Sequence, residues 1–307
     1  MGFLAVFGHT NIDMLATVKR LPAPDESMAF EGPVRALGGT AANIAVVAAR
    51  LGTPTCLVSH VGLDFPPAFR AQLQRAGIDT RHFIRVKGAP TPVCWIFSDP
   101  QGKQVCFINQ GAAKFADRSP VPMRAVRAAR VVHLATGSPK HHFKVALLAK
   151  RLGRQIAFDP GQELSYVWSP STFRRMLRFA DTLFLNDAER RKAFAYLHIR
   201  RAADLLDFVD EVILTHGASG SQHLSRDGEA HVAALRGRRV VNTTGAGDAF
   251  RGGYYAALYR GLPIKDRLRW GNAAASFVIE SHSGTASAPT PRTLSRRLAS
   301  ERASDSE

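Results

Sequence analysis

The sequence NTTGAGDAF, residues 242–250, places Gly245, Ala246 and Gly247 directly before Asp248. It follows an apolar strand pattern at 239–241 and continues into residues 249–261, where apolar side chains recur at helical spacing. The first turn of a helix has backbone N–H groups without intrahelical partners, and the helix dipole adds partial positive charge there. We therefore predict a strand, a glycine turn and a helix whose first turn binds an anion beside Asp248.

Asp248 itself has two interpretations. A carboxylate in the first turn of a helix commonly serves only as a cap or as a partner of the helix dipole. That interpretation leaves the three small residues unexplained. A phosphate site with an adjacent base explains both features, because phosphoryl transfer needs charge stabilisation and a carboxylate that deprotonates the attacking hydroxyl. No G-x-x-x-x-G-K-[ST] sequence occurs, so a P-loop is not predicted.

The same stretch resembles the second signature of the PfkB (ribokinase-like) family of sugar and nucleoside kinases, D-T-x-G-A-G-D-x-F, with Asn242 in place of the first Asp. The first signature is also present as GGTAANIA, residues 38–45, followed by Gly52 and Gly62 at the expected spacings. Two signatures in the correct order make a chance match improbable. The resemblance extends over residues 3–285, which is nearly the whole chain.

The fold that the resemblance implies is α/β and ribokinase-like: a doubly wound, mainly parallel sheet with helices on both faces, plus a small β lid. Apolar strand patterns alternate with amphipathic helical patterns from residue 131 onward, which independently predicts a parallel sheet covered on both faces. We expect a kinase domain over 1–295, a discontinuous lid from about 14–37 and 91–110, and a flexible C-terminal tail over 296–307. The hairpin pattern around Asp99-Pro100-Gln101-Gly102 supports the lid.

The activity that the resemblance implies is ATP-dependent phosphorylation of a primary hydroxyl, with Asp248 as base and the backbone of 245–247 as anion hole. Mg²⁺ is the expected ion, bound through water by Glu189 of the sequence Asn186-Asp187-Ala188-Glu189, although a helix N-cap explains this short motif equally well. The expected substrate-binding residues are Asn11, Asp13, Gly39, Thr40, Asn43, Gln110 and Thr136, and the expected nucleotide-binding residues are Asn186, Thr215, Gly217, Gly220, Asn272 and Ser276.

The substrate class is predicted from two positions. Ribokinases proper have a Lys where this chain has Thr40, and an acidic residue after the strand near the middle of the chain, where this sequence is HLATGS at 133–138. The loss of a cation and a carboxylate removes charge-assisted hydrogen bonds to a free sugar and leaves room for a base. The pattern therefore favours the 5′-hydroxyl of a nucleoside, as in archaeal-type nucleoside kinases. A free-sugar kinase of the ribokinase or fructokinase type is the alternative.

Composition limits the remaining classes. The 307 residues carry a formal net charge of +16, but the arginines are spread over most helical segments rather than clustered in one stripe, so nucleic acid is not the expected partner. A non-enzymatic phosphate- or nucleic-acid-binding protein is the alternative that rests on charge alone. No apolar run reaches the roughly 18 residues of a membrane span, and the start lacks the basic region of a signal peptide, so we expect a cytoplasmic protein. Small lid hairpins need a partner surface, which favours a homodimer through the lid.

A monovalent cation is a further expectation of the resemblance. Many family members hold one near the second signature and the loop corresponding to 283–285. Asn242 replaces the acid at that edge, so we expect at most a modest effect of K⁺ on activity. Arg251, one helical turn beyond Asp248, is predicted either to contact the phosphate or to face solvent.

Overall fold

The computed structural model describes residues 2–101, 103–235, 240–241, 243–281 and 287–304. Strands are numbered β1–β14 and helices α1–α9 along the chain. The main sheet has the order β14-β13-β12-β11-β10-β9-β1-β4. Its six parallel strands are β1 Leu4–Phe7, β4 Thr55–Val58, β9 Val131–Leu134, β10 Gln155–Phe158, β11 Thr182–Asn186 and β12 Glu211–Thr215. An antiparallel hairpin, β13 Ser221–Ser225 and β14 Gly228–Val232, completes one edge.

Helices cover both faces of this sheet. Ala5 and Phe7 of β1 belong to one buried cluster, whereas Leu4 and Val6 belong to another, because successive strand side chains point to opposite faces. The helices α3, α4, α5 and α6 contribute to the first cluster, and α1, α7 and α8 to the second. The predicted doubly wound, mainly parallel sheet is therefore confirmed. The described helices are α1 Thr40–Arg50, α2 Pro67–Arg75, α3 Met123–Ala128, α4 Pro139–Arg151, α5 Pro170–Leu177, α6 Asp187–Leu197, α7 Ala246–Tyr259, α8 Ile264–Ile279 and α9 Pro291–Ser304.

A second sheet, which we call the lid sheet, has the order β3-β2-β7-β8. It consists of β2 Asn11–Thr17, β3 Val34–Gly38, β7 Val93–Ser98 and β8 Gln104–Asn109. In the β2–β7 register, Asp13 lies beside Cys94 and Met14 beside Trp95, so the two faces of this sheet carry different chemistry. The side that includes Asp13 is the more buried one, and the other side carries aromatic residues.

Several local predictions were wrong. The apolar sequence at 57–61 has the pattern of a single strand, but it is divided between β4 and a separate strand, β5 His60–Gly62, which pairs with β6 Ile84–Val86. Val240 and Val241 do not form the strand predicted before the glycine turn, and Arg239 lies outside the described residues. The amide of Val241 instead donates to the carbonyl of Ile279, 2.7 Å away. Whether these segments form strands depends on the backbone with which they pair, and a local apolar pattern does not reveal that pairing.

The C-terminal segment also differs from expectation. The predicted flexible tail at 296–307 begins inside α9, which extends to Ser304. Leu298 is buried, and Arg297 donates to Ser276 Oγ and to Glu280 Oε2, each at 2.7 Å. These contacts attach the helix to α8. Residues 305–307 lie outside the described part of the chain. No helix among the described residues is long and apolar enough to cross a lipid bilayer.

Candidate active site

The glycine turn of the opening sequence motif caps α7. Gly245 is the N-cap residue and has a φ of 80°, in the left-handed region that favours glycine. Within the described residues no side chain caps this helix, and the amide of Ala246 donates to the carbonyl of Thr243 at 3.1 Å. The amides of Gly247 and Asp248 follow in the first turn, where the helix dipole favours negative charge. The turn therefore has the local form of an anion site. Asn242 lies outside the described residues.

Asp248 lies beside this turn and contacts the first signature. Its Oδ2 accepts a hydrogen bond of 2.8 Å from Asn43 Nδ2, which comes from the first turn of α1. The residue as a whole is only partly buried, but desolvation of its carboxyl group raises its pKa to about 7. Arg251 and the Asn43 hydrogen bond act in the opposite direction, whereas Asp159 raises the pKa further. A carboxylate with such a pKa is suited to accept a proton near neutral pH.

Asn11 and Asp13 lie on β2 of the lid sheet, one strand later than the end of β1 at which we expected them. Both are buried, and within the described ranges Asn11 Oδ1 and Asp13 Oδ1 have no hydrogen-bond partner. Desolvation, with a contribution from Asp248, raises the pKa of Asp13 to about 7. A Cβ at Gly38 would lie 1.8 Å from Asp13 Oδ2, so only glycine at position 38 leaves room for this carboxylate.

Gly39 and α1 connect these groups. Gly39 has a φ of 92° and is the N-cap of α1, and a Cβ there would lie 2.5 Å from the carbonyl oxygen of His9. The close approach brings Asn43, one turn into α1, to Asp248. The predicted residues Asp13, Gly39, Asn43 and Asp248 therefore lie together, although they come from three separate segments of the chain.

A second polar group lies beside them. Thr40 and Thr136 form a hydroxyl–hydroxyl hydrogen bond of 2.5 Å. Gln110 donates to Glu163 Oε1 at 3.0 Å, and His9 Nε2 lies 2.9 Å from the same oxygen. Glu163 is buried, and its Oε2 has no hydrogen-bond partner in the part of the chain that the structure describes. Our sequence reasoning missed Glu163 because it searched for an acid directly after β9, whereas this one lies on a 3-10 helix, Gly161–Ser165, that follows β10.

A buried ion pair lies beneath the glycine turn. Arg251 Nη2 donates to Asp159 Oδ1 at 2.8 Å, and its Nε lies against Asp159 Oδ2. Asp159 follows β10 directly, and both residues are buried. The prediction that Arg251 faces solvent was therefore wrong. Asp159 also went unrecognised, because a single acid at the end of a strand has no distinctive sequence signal.

Comparison with known proteins identifies the family. A family model described as pfkB family carbohydrate kinase matches residues 1–291. The chain belongs to the pfkB family. The Nucleoside kinase of Methanothermobacter thermautotrophicus is 35% identical over 278 residues, which cover 90% of this chain and 89% of the relative. The Nucleoside kinase of Methanocaldococcus jannaschii is 31% identical, with 96% of each chain covered.

Solved structures agree with this assignment. A crystal structure of Methanocaldococcus jannaschii Nucleoside Kinase, described as an archaeal member of the ribokinase family, has a TM-score of 0.88, covers 98% of this chain and 99% of that one, and is 30% identical. A ribokinase from Cryptococcus neoformans in complex with ADP shares the fold, with a TM-score of 0.84, 23% identity and coverage of 97% and 100%. The protein is a pfkB-family kinase with the ribokinase-like fold, and the predicted family, fold class and enzyme class are confirmed.

In this pfkB kinase, Asn186 and Glu189 form a capping box at the start of α6. Asn186 Oδ1 accepts from the Glu189 amide at 2.9 Å, and Glu189 Oε2 accepts from the Asn186 amide at 2.8 Å. The N-cap interpretation of this motif is therefore correct. It does not exhaust the role of Glu189, which is buried and whose pKa is raised to about 7 by desolvation and by the nearby Asp159.

The predicted nucleotide residues of the kinase lie at the end of β12 and on α8. Thr215 ends β12, and Gly217 and Gly220 have left-handed φ values of 55° and 98° in the turn that follows. Asn272 Nδ2 donates to the carbonyl oxygens of Val232 and Ala233, at 3.1 and 3.0 Å, so its amide connects α8 to the end of β14. Ser276 donates to Ala273 and accepts from Arg297. The loop at 283–285 lies outside the described residues.

Proposed function

We propose that this pfkB kinase transfers the terminal phosphoryl group of ATP to the 5′-hydroxyl of a nucleoside. One observation carries the proposal: Asn11 Oδ1 and Asp13 Oδ1 on β2 are buried acceptors without partners among the described residues, and Asp13 interacts electrostatically with Asp248. Buried polar atoms are almost always hydrogen-bonded, so an unpaired pair of acceptors suits a ligand with adjacent hydroxyl donors. Ribose hydroxyls are such donors, and a ribose held there presents its remaining primary hydroxyl to Asp248.

Asp248 is the proposed general base. Its pKa of about 7 allows a substantial deprotonated fraction at neutral pH while keeping it basic enough to accept the hydroxyl proton. The amide of Asn43 holds Oδ2 at 2.8 Å, which fixes the orientation of the carboxylate. The backbone of residues 245–247 supplies the proposed anion hole for the transferred group.

The preference for a nucleoside over a free sugar rests on the Thr40–Thr136 pair. These two hydroxyls bond to each other at the positions where ribokinases are expected to have a cation and an acid. Two hydroxyls contribute less to binding a free sugar than charged groups do. A base attached at C1 of the ribose is the feature that distinguishes a nucleoside from ribose, and small uncharged side chains leave space for it.

Mg²⁺ is the proposed metal ion. Glu189, Asp159 and Asp248 interact electrostatically with one another, and the buried cation Arg251 lies among them. Three acids with one compensating cation fit a divalent ion that arrives with the nucleotide phosphates. Both oxygens of Glu189 already accept hydrogen bonds from Asn186, so Glu189 is proposed to hold the ion through water. When bound, Mg²⁺ neutralises the phosphate oxygens.

The nucleotide is proposed to lie along Thr215, Gly217 and Gly220, with the adenine near Asn272 and Ser276. The left-handed glycines of this turn allow backbone to approach a ligand closely. Because the side chains of Asn272 and Ser276 bond to protein backbone, they are proposed to shape the adenine site rather than to hydrogen-bond the base.

The test is an acceptor screen with ATP and Mg²⁺. Purine and pyrimidine nucleosides, ribose, fructose and ribose 1-phosphate are compared by kcat/KM. The sugar phosphate is included because an ATP-dependent ribose-1-phosphate kinase of Halopiger xanaduensis is 30% identical over 92% of this chain. We expect a nucleoside to exceed every free sugar. A tenfold or greater advantage for ribose, fructose or ribose 1-phosphate would replace the nucleoside with that acceptor.

A free-sugar kinase is the second candidate, and Glu163 is the observation that favours it. Its buried Oε2 is unpaired and its Oε1 binds Gln110, so it offers a charged acceptor to a sugar hydroxyl. If ribose wins the screen, Glu163→Gln is expected to raise KM for ribose strongly. If a nucleoside is the best acceptor, the same variant is measured with several nucleosides. A loss that depends on the base indicates contact with the base, whereas an equal loss for all of them indicates contact with the ribose.

A further inference from the structure

Arg251 is a buried cation that contacts Asp159 through two of its three guanidinium nitrogens. It is 5% exposed, its Nη2 donates to Asp159 Oδ1 at 2.8 Å, and its Nε lies against Asp159 Oδ2. Nη1 has no hydrogen-bond partner among the described residues. A Cβ added to Gly247 would lie 2.8 Å from Nη1, which places this nitrogen directly beside the first turn of α7. Glycine at position 247 therefore leaves the space that Nη1 occupies beside the turn.

The guanidinium is held firmly in this position. Asp159 is anchored at the end of β10 and is 3% exposed, and Phe184 of β11 lies 5.6 Å from the guanidinium carbon. A planar guanidinium with two nitrogens on one carboxylate has its remaining donors fixed in direction. The desolvation cost of burying such a pair is large, so removal of one partner leaves an uncompensated charge. The fold therefore fixes one donor of Arg251 next to the amides of the anion turn.

The surroundings of Nη1 favour a negatively charged ligand. It lies beside Gly247, in a helix turn that no described side chain caps and that has partial positive charge. The carboxylates that interact electrostatically with Arg251 are Asp159, Glu189 and Asp248, and the buried His133 and Tyr255 also lie near it. In the described part of the chain only Asp159 hydrogen-bonds the guanidinium, so Nη1 is available to a phosphate oxygen between the turn and Asp248.

We propose that Arg251 is a further catalytic residue, whose Nη1 donates to a non-bridging oxygen of the phosphoryl group during its transfer, and that Asp159 is its positioning residue. This inference rests on the function proposed above. In the step, the acceptor oxygen forms a bond to the terminal phosphorus while the bond from phosphorus to the bridging oxygen breaks. The acceptor proton goes to Asp248, and ADP leaves with the electron pair of the broken bond. Arg251 stabilises the charge on the group in transit and exchanges no proton.

Four variants test this role: Arg251→Met, Arg251→Lys, Asp159→Asn and the double variant Arg251→Met/Asp159→Asn. Arg260→Met is the matched control, because Arg260 also packs on an aromatic ring, Trp270, and bonds backbone carbonyls at the far end of α7. Each variant is measured for thermal unfolding, for kcat and for both KM values, using the best acceptor from the screen. Guanidinium chloride at low millimolar concentration is added to Arg251→Met as a rescue test.

We expect Arg251→Met to lower kcat by about 10²-fold or more, the scale of one transition-state donor, with acceptor KM little changed. The double variant removes the uncompensated charge, so its unfolding temperature is expected to recover toward wild type while kcat stays low. The kcat of Arg251→Lys is expected to lie between those of the wild type and Arg251→Met, because one ammonium group does not reproduce the fixed geometry of the guanidinium donors. Added guanidinium is expected to restore part of the lost kcat.

The contrary results are equally specific. Recovery of kcat together with stability in the double variant would show that the pair is only structural and overturn the inference. Normal kcat in a folded Arg251→Met would do the same. Both outcomes leave the kinase assignment intact. Failure of the wild-type protein to phosphorylate any nucleoside or sugar is a separate result, which contradicts the proposed function before any Arg251 variant is tested.

Discussion

At the scale of single residues, the site depends on which carboxylate is free to accept a proton. Asp159 forms an ion pair with Arg251, and Glu189 accepts hydrogen bonds from Asn186, whereas the carboxylate of Asp248 accepts one hydrogen bond from the described residues, that of Asn43. Asp248→Asn keeps the shape and removes the basicity. We expect kcat to fall by about 10² or more while substrate KM changes little, because a general base acts mainly in the transition state. Near-normal turnover in a purified Asn variant eliminates Asp248 as the base, and Asp266→Asn, at a half-buried position in the first turn of α8, is a suitable control.

The pKa of Asp248 gives a second prediction at the same scale. Burial raises that pKa to about 7, so below this pH the base is mostly protonated, and kcat/KM is expected to rise as pH increases through about 7. The hydrogen bond from Asn43 lowers the pKa, so Asn43→Ala is expected to move the midpoint of the profile to higher pH. Burial, with a contribution from Asp248, also raises the pKa of Asp13 to about 7, so the charge of Asp13 changes over the same pH range. A flat profile between pH 5.5 and 8.5, a window of about 1.5 units either side of the expected midpoint, contradicts this account.

At the scale of elements, α9 shows how a polar sequence acquires structure from its neighbours. Its segment has many charged and small polar residues, which is why we expected a tail, yet Leu298 is 8% exposed and Arg297 lies 3.5 Å from the ring of Phe277. Removal of residues 296–307 is expected to lower the free energy of unfolding by about 2 kcal/mol, the scale for exposing one buried leucine. Removal of 305–307 alone serves as the control. Identical melting curves for the two truncations and the full chain disprove a structural role for α9.

The helices and strands differ in how well the sequence alone predicts them. Helices α1 and α7 were predictable, because their glycine turns and small residues are local signals that match the family signatures. The site residues on them, Asn43 and Asp248, were predictable for the same reason. The strands β5 and β6 have three residues each, and β13–β14 is polar, so their existence depends on pairing rather than on pattern. Glu163 and Asp159 belong to the site only because β10 lies between β9 and β11 in the sheet, a long-range fact that spacing does not encode.

At the scale of the whole molecule, parallel strands gather the site at one edge of the sheet. Thr136, Asp159, Asn186 and Thr215 come at or just after the ends of β9, β10, β11 and β12, and these four strands are neighbours. The carboxyl ends of parallel strands share one edge, so the acceptor residues, the buried ion pair and the proposed nucleotide turn follow one another along it. The two signatures, about 200 residues apart in sequence, contact each other through Asn43 and Asp248 because α1 packs against α7 on one face of this sheet.

The lid sheet gives the last prediction, which concerns assembly. On the side away from Asp13, Trp95, Phe97 and Phe107 form an aromatic group with Phe30, and Phe107 is 61% exposed. An exposed apolar group of this kind on a four-stranded sheet is typical of an interface, so we expect a homodimer in which two such faces pack together. Phe107→Asp is expected to shift the protein to monomer in light scattering, whereas Leu147→Asp, at an exposed apolar position on α4, leaves the dimer intact. If the wild-type protein is a monomer at every concentration, this interface is ruled out. The prediction is that a second copy of the chain covers the aromatic face.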